Sequence, residues 1–144
     1  MTLRDRVLIK YHHEIQGEVV IITKESIEQY LIDVKKLIKE QKYIIEPRDK
    51  NDDLYDQYVL PKDKSEQILL SLAVDDFSEI VKYKNKNGEY VPHYVFGKKV
   101  VLTPRYRTHE EEVSLYIKFN KKSNMFVVVV SFHEEEYPMV YYFK

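Results

Sequence analysis

Two apolar segments near the C-terminus constrain the fold of this chain most strongly. Residues 112–119 alternate between apolar and polar side chains, and residues 125–133 contain no charged side chain before His133. A short polar turn around Ser123 and Asn124 separates the two segments. This pattern is typical of a β-hairpin whose second strand is covered on both faces of a sheet.

The alternation of side chains assigns each residue of this hairpin to a face. The apolar face of the first strand consists of Val113, Leu115, Ile117 and Phe119, and its other face of Ser114, Tyr116 and Lys118. In the second strand we expect the buried residues to be Phe126, Val128, Val130 and Phe132. His133 then shares a face with Tyr116 and Lys118, within a residue or two of the position opposite Tyr116. A phenol, an ammonium and an imidazole on one surface predict an anion site.

The remainder of the chain predicts an α+β domain. A first helix begins at Thr23 or Ser26, where Ser26 and Gln29 fit a capping box, and it buries Ile27, Tyr30, Leu31, Val34, Leu37 and Ile38. A second helix covers residues 65–72, opened by an Asp63–Glu66 capping box, and restarts at Asp75. Further strands are expected at residues 6–10, 18–22, 80–83 and 94–102, with 139–143 as an additional candidate. We predict a mainly antiparallel sheet with two or more helices packed on one face.

Composition bounds the compartment and the binding chemistry. The chain has 144 residues, no cysteine and a formal charge of −1. It contains no signal-peptide pattern and no long apolar span, so we expect a single cytoplasmic domain without a membrane partner. The charge is unevenly distributed, because residues 80–122 hold ten Lys or Arg against four Glu, a balance of +6. A basic region of this kind attracts phosphates locally, and the alternative is a solvated surface.

No metal or cofactor is expected. The neighbouring His12 and His13 point in different directions on a strand or a helix, so a surface loop is the better interpretation of that segment. The acidic segment at 49–53 superficially resembles a calcium-binding loop, but Leu54 and Leu60 stand where such a loop needs glycine and glutamate. His93 and His109 lie beside turns or charged runs, which predicts exposure to solvent.

In order and spacing, these segments resemble the MqsR-type toxins of bacterial type II toxin–antitoxin systems. The matching pieces are VKKLI at 34–38, ILLSLAVDDF at 68–77, YVFGK at 94–98, VSLYIK at 113–118 and VVSFH at 129–133. The resemblance covers about residues 27–134. We therefore divide the chain into an extension (1–25), which contains a possible β-hairpin, a toxin-like core (26–134) and a tail (135–144).

The resemblance implies a RelE-like fold and a metal-independent, ribosome-independent mRNA endonuclease that a cognate antitoxin neutralises. It places the active-site tyrosine of the family on Tyr116 and its basic residue on His133. The chain departs from the family pattern at two positions. The family lysine after the Asp-Phe step falls on Glu79, with Lys82 one turn later, and the family glutamine falls near Val91.

RNA needs no metal for cleavage, because its own 2′-hydroxyl can attack the adjacent phosphate once a base removes the proton. His133 can act as general acid or general base, and the glutamates at 134–136 favour the acid role by raising its pKa. Tyr116 is expected to orient the nucleophile or donate a proton. Lys118, with Lys82 and Arg105 or Arg107, is expected to stabilise the phosphorane. The predicted RNA-binding residues are Lys82, Lys98, Lys99, Arg105 and Arg107.

A non-enzymatic function is the alternative. The near-zero net charge and the Glu79 departure favour a toxin-like or phage accessory protein that acts by binding a protein partner. A nuclease assay with a chelator present discriminates between the two classes.

Overall fold

The computed structural model describes residues 7–9, 12–15 and 18–144. In this part of the chain the elements are β1 (Val7–Ile9), β2 (His12–Ile15), β3 (Glu18–Ile21), α1 (Lys24–Lys39), β4 (Tyr43–Ile45), α2 (Asp49–Gln57), β5 (Tyr58–Val59), α3 (Lys62–Leu70), a 3-10 turn (Val74–Asp76), β6 (Phe77–Lys84), β7 (Tyr90–Pro104), β8 (Glu111–Lys122) and β9 (Phe126–Glu134).

Six strands form one sheet in the order β1-β6-β7-β8-β9-β4. Neighbouring strands in this sheet are antiparallel except for β9 and β4, which are parallel. β5 pairs with the end of β7, and β2 pairs with β3 in a separate hairpin. The buried residues of α1 and α3 form one core with one face of the sheet. The predicted α+β class is confirmed, and this architecture is consistent with a RelE-like fold.

Helix α1 follows its sequence pattern closely. The Thr23 hydroxyl accepts the backbone N–H of Ser26 at 3.0 Å, and the Ser26 hydroxyl accepts that of Thr23 at 2.9 Å. This reciprocal cap begins the helix at the first of the two predicted positions, with Ser26 rather than Gln29 as the partner. All six predicted apolar positions are buried.

The next two helices differ from the prediction. The acidic segment at 49–53 opens α2 rather than forming a loop, because Asn51 and Leu54 bury one side of that turn. Helix α3 begins after Pro61 without a side-chain cap, so the predicted Asp63 capping box is wrong. His12 and His13, expected in a loop, lie in β2. None of the described helices is long and apolar enough to cross a membrane.

The loop of the β8–β9 hairpin reverses the predicted face of the first half of β9. Lys122 pairs with Phe126, so the loop has three residues rather than the two or four on which the face assignment rested. Val127 and Val129 therefore enter the core, and Phe126 is 36% exposed. The prediction that Phe126, Val128 and Val130 belong to the core is wrong.

A β-bulge then restores the predicted face for the end of the strand. Phe119 pairs with Val129 and Lys118 pairs with Ser131, which leaves Val130 as the extra residue. A shift of one residue moves every later side chain to the other face of the sheet. Phe132 therefore enters the core, and His133 lies on the face of the sheet that points away from the core. The odd loop and the bulge cancel, so the predicted placement of His133 is confirmed.

A second bulge lies at the start of β6. Phe77 pairs with Phe96 and Glu79 with Val95, so Ser78 is the extra residue. Glu79 consequently faces away from the core that contains Phe77. We call the sheet face opposite α1 and α3 the open face; it carries Glu79, Tyr116, Lys118, Ser131 and His133.

Residues 135–144 form the tail, whose earlier part crosses the open face above Gly97 and whose residues Tyr142 and Phe143 pack against Phe77 of the core. A Cβ atom on Gly97 would lie 2.5 Å from the Tyr141 hydroxyl and 2.8 Å from the Met139 sulfur, so a larger residue there would require these two side chains to shift. The backbone N–H of Tyr142 donates to the Phe77 carbonyl at 3.0 Å, and the Ser78 hydroxyl donates to the Val140 carbonyl at 2.6 Å. The tail forms no strand, contrary to the expectation for 139–143.

Candidate active site

A cleft of about 700 Å³ lies on the open face between β6, β8, β9, the start of α2 and the tail. All three predicted catalytic residues, Tyr116, Lys118 and His133, line it. The remaining lining comes from Arg48, Lys50, Ser78, Glu79, Ser131, Glu136 and residues 137–140. The two bulges border this cleft, and bulges are common next to active sites because they redirect side chains.

Tyr116 and His133 are direct cross-strand partners. Their rings stack with centroids 5.3 Å apart and an interplanar angle of 15°. Each ring therefore restricts the orientation of the other, and both residues line the same cleft.

The imidazole of His133 is held in one orientation and one tautomer. Its Nδ1 lies 2.8 Å from the carbonyl oxygen of Glu134. Since a carbonyl only accepts, Nδ1 carries the proton and the neutral ring keeps a lone pair on Nε2. The residue is only 8% exposed, and burial lowers the pKa of the imidazole below its ordinary value. The Glu134 hydrogen bond and the Glu136 charge offset this pKa shift only in part.

This pKa direction corrects one sequence-based expectation. The glutamates at 134–136 were expected to raise the pKa of His133 and keep it protonated. Glu136 acts in that direction, but desolvation outweighs it, and the cations of Lys50 and Arg48 also lower the pKa. A neutral imidazole near pH 7 favours the role of base over that of acid.

Lys118 brings a buried cation to the cleft. Its side chain is 7% exposed, and its ammonium donates to the Tyr83 hydroxyl at 2.8 Å. The same ammonium lies 4.6 Å from the ring centroid of Tyr83 and 5.9 Å from that of Tyr116. Aromatic faces stabilise a desolvated cation, so Lys118 is positioned to attract an anion next to Tyr116.

Arg48, at the start of α2, is a cation of the cleft that no sequence pattern indicated. Its guanidinium donates to the Val130 carbonyl at 3.1 Å and to the Ser131 hydroxyl at 3.4 Å. Asn51 in the same helix is buried and bonds the backbone of the bulge from the other side. α2 therefore fixes the position of the end of β9.

The predicted RNA-binding residues do not line this cleft. Lys98 lies on the helix side and pairs with Asp76 at 3.2 Å, whereas Lys99 is exposed on the open face. The Lys82 ammonium lies 4.7 Å from the ring centroid of Tyr90. Arg105 donates to the Tyr55 carbonyl at 2.7 Å, and Arg107 lies in the exposed turn after β7. A contribution of these residues to RNA binding stays a prediction.

His93 differs from its expected exposure. Its ring packs against Tyr83 with centroids 4.4 Å apart, and its Nδ1 is buried with no hydrogen-bond partner among the described residues. Burial, with the Lys118 and Lys122 charges, lowers the pKa of His93 to about 4. His109 is exposed, as expected.

Glu79, the departure from the family pattern, lies in the cleft itself. Because it pairs with Val95, and Val95 pairs with Lys118, Glu79 and Lys118 share one row across the sheet. The cleft therefore holds a carboxylate beside its cations. The cleft is lined by three cations, Arg48, Lys50 and Lys118, and by two carboxylates, Glu79 and Glu136. Its formal charge is therefore +1 when His133 is neutral.

Among the described residues, no group of three or more His, Cys, Asp or Glu side chains is arranged to hold a metal ion. The groups that line this cleft include an imidazole, a phenol, ammonium and guanidinium cations and the carboxylates of Glu79 and Glu136. Compared with known protein families, curated proteins and solved structures, the chain matches none.

Proposed function

We propose that this protein is a metal-independent endoribonuclease that cleaves single-stranded RNA, and mRNA in particular. The observation that carries the proposal is the stacked Tyr116–His133 pair, with the Lys118 ammonium beside it in one cleft. This arrangement supplies a proton acceptor, a proton donor and a cation within reach of one phosphodiester, and RNA supplies its own nucleophile.

His133 acts as the general base in this scheme. Its Nε2 accepts the proton of a ribose 2′-hydroxyl, and the 2′-oxygen attacks the adjacent phosphorus. The bond from phosphorus to the 5′-oxygen breaks, which leaves a 2′,3′-cyclic phosphate and a 5′-hydroxyl. The lowered pKa of His133 supports this assignment, because a base must be unprotonated before the reaction begins.

Tyr116 acts on the leaving group of the reaction and Lys118 on the phosphorane. The Tyr116 hydroxyl donates its proton to the departing 5′-oxygen, and the Lys118 ammonium stabilises the negative charge of the phosphorane. Burial of Lys118 strengthens this interaction, because a charge in a partly desolvated site is screened less than one in water. On this account Tyr116→Phe lowers the cleavage rate while preserving the stacked ring.

The cellular role that fits such an activity is that of a toxin neutralised by a cognate antitoxin protein. The ordered resemblance across residues 27–134 supports this part of the proposal, together with the α+β architecture. Free ribonuclease activity against mRNA arrests growth, so a partner that covers the cleft is needed to control it.

A partner-binding function without catalysis is the second candidate, and the edge of the sheet favours it. Ile44 in the outer strand β4 is 48% exposed, and Met125 and Phe126 are exposed near the start of the neighbouring β9. An apolar edge strand can pair with an extended segment of another protein.

Two measurements test the proposal. Expression of the chain alone in a bacterium should arrest growth, and purified protein should cleave single-stranded RNA in excess EDTA, leaving cyclic phosphate ends. Unimpaired growth at verified high levels of folded protein, without cleavage in vitro, would favour the partner-binding candidate.

A further inference from the structure

The cleft meets a second cavity at His133. A smaller cavity of about 280 Å³ lies beside it and is lined by Asp53, Leu54, Gln57 and Glu134 together with three residues of the larger cleft. Those shared residues are Lys50, His133 and Glu136. The two cavities therefore adjoin at His133, and we call the surface that they form together the groove.

An ion pair lies across this groove. The Lys50 ammonium, in the first turn of α2, donates to the carboxylate of Glu136 in the tail. Both side chains border both cavities, so the pair lies where the two cavities join, next to the imidazole. A strand that fills both cavities has to pass through the position of this pair.

The Glu136 carboxylate resembles a phosphate diester in the properties that matter here. Each carries one negative charge and presents two oxygens to a donor. The Lys50 cation and the His133 imidazole face this position, and Arg48 lines the larger cleft beside it. The smaller cavity has Leu54 and Gln57 but also Asp53 and Glu134, a lining that repels phosphate and suits a base or ribose.

We propose that Lys50 is a phosphate-binding residue and that Glu136 occupies, in the free protein, the position of the substrate phosphate. On binding, an RNA strand displaces the Glu136 carboxylate from Lys50, and the nucleotides on either side of that phosphate enter the two cavities. The inference rests on the proposed function, because it identifies the bound anion as the backbone of a single-stranded RNA.

The exchange is energetically accessible. The side chains of Lys50 and Glu136 are 56% and 50% exposed, and exposed ion pairs contribute little to stability. Exchanging one anion for another preserves the charge balance at Lys50, whereas binding RNA without displacing Glu136 would bring two anions together.

The two partners of this ion pair should respond with opposite signs. We would measure binding of a single-stranded oligonucleotide with 2′-O-methyl riboses, which cannot be cleaved through the 2′-hydroxyl, by fluorescence anisotropy at several salt concentrations. Glu136→Gln should tighten binding about fivefold, the size of one charge interaction in water. Lys50→Gln should weaken binding and reduce the log–log salt slope by about 0.7, the loss of one neutralised phosphate.

Matched variants control for net charge. Glu135→Gln is the control for Glu136→Gln, because it removes one negative charge from a neighbouring tail residue that lines neither cavity. Lys36→Gln is the control for Lys50→Gln, because it removes one positive charge from the exposed side of α1. Both should change binding less than their counterparts. An ion pair with a purely structural role predicts weaker binding for Glu136→Gln as well as for Lys50→Gln.

The outcomes separate this inference from the proposed function. Opposite shifts in affinity, without cleavage of unmodified RNA by any variant, would support the phosphate site and contradict the nuclease. Cleavage by the wild type with Glu136→Gln binding no more tightly than Glu135→Gln would support the nuclease and overturn the role of Glu136.

Discussion

The Asn51 side chain accepts the backbone N–H of Phe132 at 2.8 Å, one residue before His133. Its amide also donates to the Val130 carbonyl at 3.1 Å and to the Glu46 carbonyl at 2.9 Å. One buried amide thus satisfies the backbone on both sides of the bulge, where strand β4 no longer pairs with β9. The bulge places His133 on the open face, so Asn51 is a positioning residue.

Substitution Asn51→Ala should therefore damage both stability and activity. Buried backbone groups that lose their partners cost about 1–3 kcal/mol each, so we expect the free energy of unfolding to fall by at least about 2 kcal/mol. Urea denaturation measures this change, and RNA cleavage at low temperature measures activity of the folded fraction. Asn87→Ala, in an exposed turn, is the matched control. A stable Asn51→Ala variant with full activity would contradict this role.

The contact between Gly97 and the tail predicts a second effect. Gly97→Ala places a Cβ against Met139 and Tyr141, and relief requires these side chains to move. Because the clashing atoms are near the ends of side chains that can move, we expect a stability loss at the low end of the usual range for overpacking, about 1 kcal/mol, with faster proteolysis of the tail. Adding Tyr141→Phe removes the nearest atom and should restore part of the protection. Unchanged proteolysis of Gly97→Ala would show that the tail does not pack there.

His93 predicts a loss of stability in acid. Because its pKa is about 4 in the folded protein and about 6.5 when unfolded, the unfolded chain binds more protons between these values. The contribution of neutral His93 to the free energy of unfolding is therefore fully present above about pH 6.5. It is lost as the pH drops toward 4, which lowers the free energy of unfolding by up to about 3 kcal/mol. Urea denaturation at several pH values across this range measures the effect. The free energy of unfolding should depend less on pH in His93→Phe than in the wild type, and His109→Gln should behave like the wild type. An equally steep curve in His93→Phe would assign the acid sensitivity to other groups.

The convergence of Tyr116 and His133 was predictable because two long alternating segments joined by a short turn allow few pairings. The predicted face of His133 is correct, although the prediction assumed a loop of two or four residues and a regular strand. Two single-residue shifts, in the loop and at Val130, cancel each other. Neither shift can be recognised in the sequence, because residues 126–130 are all apolar and therefore do not show which side chains face the core.

The other walls of the cleft could not be predicted for a different reason. Lys50 and Glu136 are separated by 86 positions and meet only because α2 packs against β9 and the tail begins where β9 ends. The identity of Glu79 is visible in the sequence, but its entry into the cleft depends on the bulge at Ser78. Such contacts are products of tertiary packing, and local periodicity does not encode them.

The proposed mechanism depends most on His133 as the general base. His133→Ala should reduce cleavage about 10²–10⁴-fold, the usual contribution of a positioned proton-transfer group. Since the ring is buried against Tyr116, a modest loss of stability, about 1 kcal/mol, should accompany it, and circular dichroism should confirm the fold. His109→Ala, at an exposed site, should retain full activity.

The pH profile of RNA cleavage in EDTA, measured for wild type and His133→Ala, tests this claim most directly. Because burial lowers the pKa of His133, wild-type activity should be level near neutral pH and fall on acidification below the ordinary histidine range. In His133→Ala the residual activity should lose this inflection. Wild-type cleavage that rises on acidification through pH 6, or a folded His133→Ala variant with the full rate and the same profile, would contradict the account.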